Sequence, residues 1–279
     1  MRMFKDFVVP ASLDEARAEL KRLGSEGVPL AGASSLLFLK HKEPKVAVDL
    51  SRAGLAGICA DGDTFKIGAM TTITALREYQ AEGWVLGRVA EHFVTQQIRN
   101  HSTLGGNIVR VFAWADFPVA LLALDATMII RGDEERRVVA TEFFNGQPGR
   151  LLKAGDLLVG VQIPARSAGQ GFGYHKQTRV SADFSQGTAA AWLEVAGGKI
   201  KAARVALGAA VTFPCRLAAV EQAVVGQKGG EKLFREAATQ LGERNWRTVA
   251  GFAPDYIKHI GEVVVADALI RAWQEATKA

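Results

Sequence analysis

Two short stretches of this 279-residue chain bring hydroxyls, small residues and glycines together in a way that could hold an anion. The first, Ala31-Gly32-Ala33-Ser34-Ser35, follows a short apolar run and opens onto another. That order, strand then tight turn then helix, offers free N–H groups at a helix start beside two hydroxyls. The second, Thr103-Leu104-Gly105-Gly106-Asn107, lies about seventy residues further on. Its adjacent glycines can take φ > 0 and admit a ligand without a Cβ in the way. Successive N–H groups in such a turn make an anion-binding concavity, and Thr103 and Asn107 add a hydroxyl and an amide. Neither stretch contains a Lys, so the triphosphate loop Gly-x-x-x-x-Gly-Lys-Ser/Thr is absent, as is the dinucleotide pattern Gly-x-Gly-x-x-Gly. An anionic group at a helix terminus gains only about 1 kcal/mol. Tight binding therefore needs several contacts, which a diphosphate held by both turns, within a large dinucleotide bridging two units, would make.

Composition narrows the remaining classes. Apolar residues at 48% and charged residues at 23% fit a globular chain long enough for two domains or one large one. No apolar run approaches the roughly 20 residues that span a bilayer, and Met-Arg-Met-Phe-Lys-Asp-Phe does not read as a signal peptide. The expectation is a cytoplasmic protein with no membrane span. Two cysteines, Cys59 and Cys215, are too few for an iron–sulfur or structural zinc site and read as small buried hydrophobes. His41, His92, His101 and His259 show no metal-ligand spacing. The net charge of +5 is spread along the chain, and clusters such as Arg136-Arg137 adjoin acids. An anionic ligand or an acidic partner surface fits that pattern, and no nucleic-acid partner is expected.

Periodicity outlines the elements that must place the two turns. A strand over 4–9 precedes Ser12-Leu13-Asp14-Glu15, a capping box in which hydroxyl and carboxylate satisfy free helix donors. The helix it starts carries Leu13, Ala16, Leu20 and Leu23 on one face and stops at Gly24. Strands over 28–31 and 46–49, with a short helix over 35–42 between them, complete a β-α-β-α-β unit. Strands over 55–60 and 64–68 then flank Asp61-Gly62-Asp63, a hairpin signal. Helices are predicted over 71–82, 84–93 and 117–124, and strands over 127–131 and 157–163. A linker, Ser167-Ala168-Gly169-Gln170-Gly171, leads to hairpin strands over 187–195 and 200–207 around Gly197-Gly198. Helices over 216–225, 231–241 and 263–278 follow, the order of a separate α+β unit.

Over nearly its whole length the chain resembles the flavin-binding medium subunits of molybdenum hydroxylases, the family of the FAD subunits of carbon monoxide dehydrogenase and bacterial xanthine dehydrogenase. The family's first flavin motif, Ala-Gly-Gly-x-Ser-Leu, is matched by Ala31-Gly32-Ala33-Ser34-Ser35-Leu36. Its second, Arg-Asn-x-x-Thr-Ile-Gly-Gly-Asn/Ser, is matched by Arg99-Asn100-His101-Ser102-Thr103-Leu104-Gly105-Gly106-Asn107, and the segment from Ile67 to Leu76 is also similar. The resemblance implies an α+β fold. A two-subdomain FAD-binding domain of the vanillyl-alcohol-oxidase/PCMH type over 1–168 (subdomains about 1–54 and 55–168) would precede a smaller α+β C-terminal domain over 172–279, an antiparallel sheet plus helices.

The resemblance further implies that the first motif, with Leu30 before it, and Thr103, Gly105, Gly106 and Asn107 of the second wrap the FAD diphosphate. Asp116 would hydrogen-bond the flavin nucleotide, as well as serving as an N-terminal helix charge before Pro118. Phe93 matches an aromatic position ten residues before Thr103, and Leu158 an apolar contact on the flavin ring. Tyr174 would cover that ring and Lys176 would place near it a cation that stabilises reduced, anionic flavin, while His175, alternating with them, points away. Two departures stand out. Ala33 replaces the family's second glycine and is expected to keep negative φ or to alter the turn slightly. Val111-Phe112-Ala113-Trp114 replaces the usual Ser/Asp-Pro, setting bulky apolar groups beside the flavin, where they could shield the ring, reshape acceptor access or weaken cofactor binding.

The function implied is that of an FAD-carrying electron-transfer subunit with no catalytic acid or base of its own. The molybdopterin cofactor would sit on a large partner subunit and two [2Fe–2S] clusters on a small one, in a dimer of heterotrimers, with electrons leaving for NAD or another acceptor. The alternatives are a stand-alone flavin reductase or oxidase of the same fold, and a scaffold subunit that has lost FAD.

Overall fold

The computed structural model describes residues 3–35, 43–249 and 251–278. Strand β1 (Phe4–Val8), helix α1 (Leu13–Leu23), β2 (Gly27–Leu30) and β3 (Lys45–Asp49) open the chain, and the strands pair in parallel in the order β1-β3-β2. The capping box forms in part: the Ser12 hydroxyl accepts from Glu15 N (3.2 Å), while the Glu15 carboxylate reaches past the cap residue and accepts from Ala11 N (2.8 Å). Ala16 and Leu20 of α1 then pack on Val48 and Leu50. The helix expected over 35–42 falls, beyond Ser35, outside the described residues.

A second, antiparallel sheet follows. Its strands are β4 (Ile58–Asp61), β5 (Thr64–Gly68), β6 (Thr127–Arg131), β7 (Glu135–Val139) and β8 (Leu157–Pro164), ordered β4-β5-β8-β6-β7. Between β5 and β6 run short helices α2 (Ile73–Glu78), α3 (Leu86–Glu91), α4 (Gln96–His101), α5 (Leu104–Val109) and α6 (Phe117–Ala123), and α7 (Ala140–Phe143) follows β7. Helices α2 and α3 are shorter than predicted. The stretch read as a glycine turn is helical: Thr95 and Thr103 cap α4 and α5 by accepting from Ile98 N and Gly106 N. Every residue of α6 is buried, because it packs among α3, α5 and α7 and against the sheet that follows. Cys59 is exposed rather than buried, since β4 is an edge strand that turns little but Ile58 inward; Cys215 is half-buried.

The last unit is an antiparallel sheet ordered β12-β11-β10-β9, from β9 (Gln170–Gln177), β10 (Gly187–Ala196), β11 (Lys199–Gly208) and β12 (Cys215–Arg216). Gly197 and Gly198, at φ 60° and 72°, make the tight turn of its central hairpin. Strand β9 takes up Gln170 and Gly171 from the predicted linker. Helices α8 (Ala218–Val224) and α9 (Glu231–Ala238) precede α10 (Pro254–Ala276), which starts at a first-turn proline well before residue 263. Helix α10 lies unusually close to β9: a Cβ on Gly171 or Gly173 would sit 1.9 Å from the carbonyl oxygen of Ala272 or Ala268. Glu275 near its end accepts from Phe172 N (2.8 Å) and pairs with Arg88 of α3 and Arg166 (3.1 Å), tying the C-terminal sheet to the helices before it.

Candidate cofactor site

The two glycine motifs, far apart in sequence, touch. A Cβ on Gly32 would stand 1.7 Å from the His101 carbonyl oxygen, so only glycine lets the first turn cross the end of α4. Ser34 Oγ lies 2.8 Å from Ser102 Oγ. Ala33 takes the left-handed conformation (φ 57°), contrary to the expected negative φ; the turn keeps the shape a glycine would give it, with the Cβ strain retained.

The motifs play different parts. Among the described residues nothing accepts the N–H groups of Gly32, Ala33, Ser34 and Ser35, so the first turn offers free donors. The second does not act as a nest. Leu104 N donates to Thr71 O (2.9 Å), Gly105 N to Ala69 O (2.8 Å), Gly106 N to Thr103 Oγ1 (3.1 Å) and Asn107 N to Thr103 O (3.0 Å). Gly105 is needed because Ala69 passes within 3 Å of where its Cβ would be. Gly106 has its open side toward Ala31 of the first turn. The second motif therefore supplies shape and the Asn107 side chain, whose Oδ1 is buried without a partner.

Both motifs line one cavity of about 430 Å³. Ala31, Gly32, Ala33, Ser34 and Ser35 form one wall, with Thr103, Gly105, Gly106 and Asn107 beside them. Phe93, Leu158, Asp116 and Lys176 also reach it. Leu36 lies outside the described residues, and Leu30 does not line the cavity; it ends β2 and its carbonyl accepts from Leu50 N. Tyr174 does not line it either. The ring is buried behind Asp116, to whose Oδ1 its hydroxyl donates at 2.6 Å, so it supports the carboxylate and cannot cover a ligand. Burial, with the Asp116 charge and hydrogen bond, holds the Tyr174 phenol well above its ordinary value and keeps it a donor.

Lys176 is no solvated surface charge. Its side chain is 7% exposed, pairs with Asp116 at 3.0 Å and donates to His92 O at 3.2 Å. Asp116 makes no side-chain cap to α6; its oxygens serve Tyr174 and Lys176 instead. His175, as alternation predicted, turns to the other side, toward Asp267 of α10 at 3.7 Å. Burial lowers its pKa, and the Arg271 and His92 charges add to this against Asp267.

Several lining residues escaped sequence reasoning: Ala69 and Met70, at the end of β5, and Arg110, Leu152, Phe184 and Ser185. Ala69 and Met70 fall inside the segment similar to the family, which signalled the place and not the role. Phe112 and Trp114, noted as a departure, stack on each other (5.1 Å, 16°), and Phe184 tilts against Trp114 at 4.5 Å. Buried polar atoms without a partner, Asn107 Oδ1, Arg110 Nη1 and Ser185 Oγ, belong to residues of this one cavity. Free amides at one wall, unmet polar atoms and broad apolar faces suit a long molecule with an anionic middle and a flat ring.

Residues 2–166 match the family described as the FAD binding domain in molybdopterin dehydrogenase, and residues 172–272 the CO dehydrogenase flavoprotein C-terminal domain. The chain belongs to the FAD-binding medium subunits of the molybdenum hydroxylases. It is similar to the carbon monoxide dehydrogenase medium chain of Hydrogenophaga pseudoflava, 32% identical with 72% of this chain and 73% of that one covered. It is also similar to caffeine dehydrogenase subunit beta of Pseudomonas sp. (strain CBB1), 28% identical with 82% and 80% covered. Among solved structures, carbon monoxide dehydrogenase from Hydrogenophaga pseudoflava lacking the Mo-pyranopterin moiety superposes with a TM-score of 0.92 at 30% identity, covering 98% of this chain and 99% of that one. Quinoline 2-oxidoreductase from Pseudomonas putida 86 gives 0.90 at 28% identity over the whole of both chains. As a medium subunit of this family the chain is a flavoprotein component of an oxidoreductase, and its donor set fits the FAD that the family's first domain binds. Among the described residues no helix is long and apolar enough to cross a membrane.

Proposed function

We propose that this chain is the electron-transfer subunit of a molybdenum hydroxylase complex. Its FAD would take electrons from [2Fe–2S] clusters on a small subunit, themselves reduced at a molybdopterin-binding large subunit, and pass them to NAD or another acceptor. The observation that carries the reading is the contact of the two motifs, Ser34 Oγ to Ser102 Oγ at 2.8 Å, on one cavity with unmet donors. Within it the free N–H groups of Gly32 to Ser35 would hold the diphosphate, and Asn107 would orient what lies beyond. Phe93 and Leu158 give apolar walls that exclude water. Lys176 and Asp116 face the cavity as a neutral ion pair held from behind by Tyr174, so they present fixed dipoles with little reorganisation. We read 1–168 as the FAD-binding domain and 172–279 as the C-terminal domain, in an assembly that is a dimer of heterotrimers.

The native assembly tests this. Purified through a tag on this chain, it is expected to contain two further subunits, with molybdenum, iron and flavin in constant proportion. A chain that purifies alone and oxidises a substrate by itself would support the stand-alone flavoenzyme instead. An assembly with molybdenum and iron and no flavin would make it a scaffold.

A further inference from the structure

The charges around the cavity do not balance. Among the described residues the carboxylates that line it, Asp116, Asp156 and Asp183, are each taken: by Lys176 at 3.0 Å, Arg136 at 2.6 Å and Arg179 at 2.7 Å. Arg110 lines the same cavity and has no acid. Its Nη1 is out of contact with solvent and without a hydrogen-bond partner, and its guanidinium carbon stands 5.0 Å over the centre of the Phe112 ring. The residues outside the described set include no Asp or Glu, so none of their side chains could complete the pair.

A guanidinium stays charged at every physiological pH. An N–H of such a group removed from water and left unmet is costly, and the usual resolution is an anionic oxygen, which a guanidinium takes through strong charge-assisted bonds. Arg110 ends α5, yet its side chain makes no hydrogen bond to that helix's last carbonyls, so capping does not account for it. The Phe112 ring, itself stacked on Trp114, which Phe184 meets in turn, seats the guanidinium without neutralising it. The segment that departs from the family pattern thus builds a mount for a cation.

We propose that Arg110, positioned on Phe112, is the counter-charge to an anionic group of the cofactor in this cavity. The inference rests on the FAD reading above and adds a charged contact that neither glycine motif contains. FAD has two places for such a group: the diphosphate, and the ring edge that gains negative charge on reduction.

The test uses the full chain freed of flavin, as wild type, Arg110→Met and Arg110→Lys, titrated with FAD and with riboflavin, which lacks phosphate. The midpoint potential of the bound flavin is measured in parallel. With Arg110 on the diphosphate, R110M binds FAD about ten- to a hundredfold more weakly. Riboflavin binding is then unchanged, the salt dependence of FAD binding flattens, and R110K recovers part of the loss. With Arg110 on the ring, affinity for oxidised FAD changes little, the midpoint potential of R110M moves to more negative values, and R110K moves it back. Either pattern supports the counter-charge. A folded R110M that matches wild type in FAD affinity, salt dependence and potential overturns it and leaves the function standing. A wild-type chain that binds no FAD overturns both.

Discussion

Asp116 shows how one carboxylate can organise a site that it does not itself finish. Its oxygens hold Lys176 and the Tyr174 hydroxyl, and the ion pair is 7% and 4% exposed on its two sides. Asp116→Asn leaves a buried ammonium uncompensated, so a loss of about 3–5 kcal/mol is expected in denaturant melts of the flavin-free chain; a loss within about 0.5 kcal/mol would show the pair to be solvated. His175, on the opposite face of β9, carries a pH dependence. Its folded pKa lies below the ordinary 6.5, so the unfolded chain binds the proton more readily. Stability should be full above about pH 6.5, fall as the pH drops below that value, and fall less in His175→Gln, as thermal melts from about pH 7.5 to pH 5 would show. Sequence placed Lys176 and Asp116 at the cavity through their motifs, and alternation along a strand placed His175. It misassigned Tyr174, because alternation gives the side of a sheet and not the depth: Tyr174 and Lys176 share a face, and only Lys176 reaches the cavity. The φ of Ala33 was beyond it too, since an alanine is tolerated there only because Gly32 and Ser34 are pinned to α4 and Ser102.

At the level of elements, small residues decide how closely layers approach. The α10–β9 contact depends on Gly171 and Gly173, whose missing Cβ atoms make room for helix backbone. Backbone cannot swing aside as a side chain can, so Gly173→Ala should part helix and strand. A loss of about 1–3 kcal/mol, the range of overpacked cores, is expected in unfolding experiments, and an unchanged melting point would mean that the helix can slide. The same physics explains an expectation that failed. Adjacent glycines read as a turn, yet Gly105 and Gly106 sit in the first turn of α5, where Thr103 caps the helix and Ala69 leaves no room for a side chain. Long periodic segments such as α1 and the β10–β11 hairpin were legible, because capping and turn chemistry are local. The short helices α4 and α7 and the start of α10 were not, because packing rather than periodicity sustains them.

For the whole molecule, the fold brings two segments about seventy residues apart in sequence together at one cavity. The family resemblance located both segments and the order of the two units, which neither charge nor composition could do. What it left open was the division of labour, free donors on the first turn and shape on the second, since hydrogen bonds already spent within the fold leave no mark in the sequence. The +5 charge likewise gave no address for its use, whereas among the described residues the pairing of each lining carboxylate leaves Arg110 at the cavity without an acid of its own. Flavin bound per chain bears most directly on the closure of both turns around one FAD, measured for the flavin-free full chain and for Gly106→Val, whose side chain would project beside Ala31 of the first turn. The expected result is one FAD for each wild-type chain and a severe loss of binding in the variant with its fold intact. A wild-type chain that takes up no FAD, or a variant that takes it up as tightly, would contradict the account.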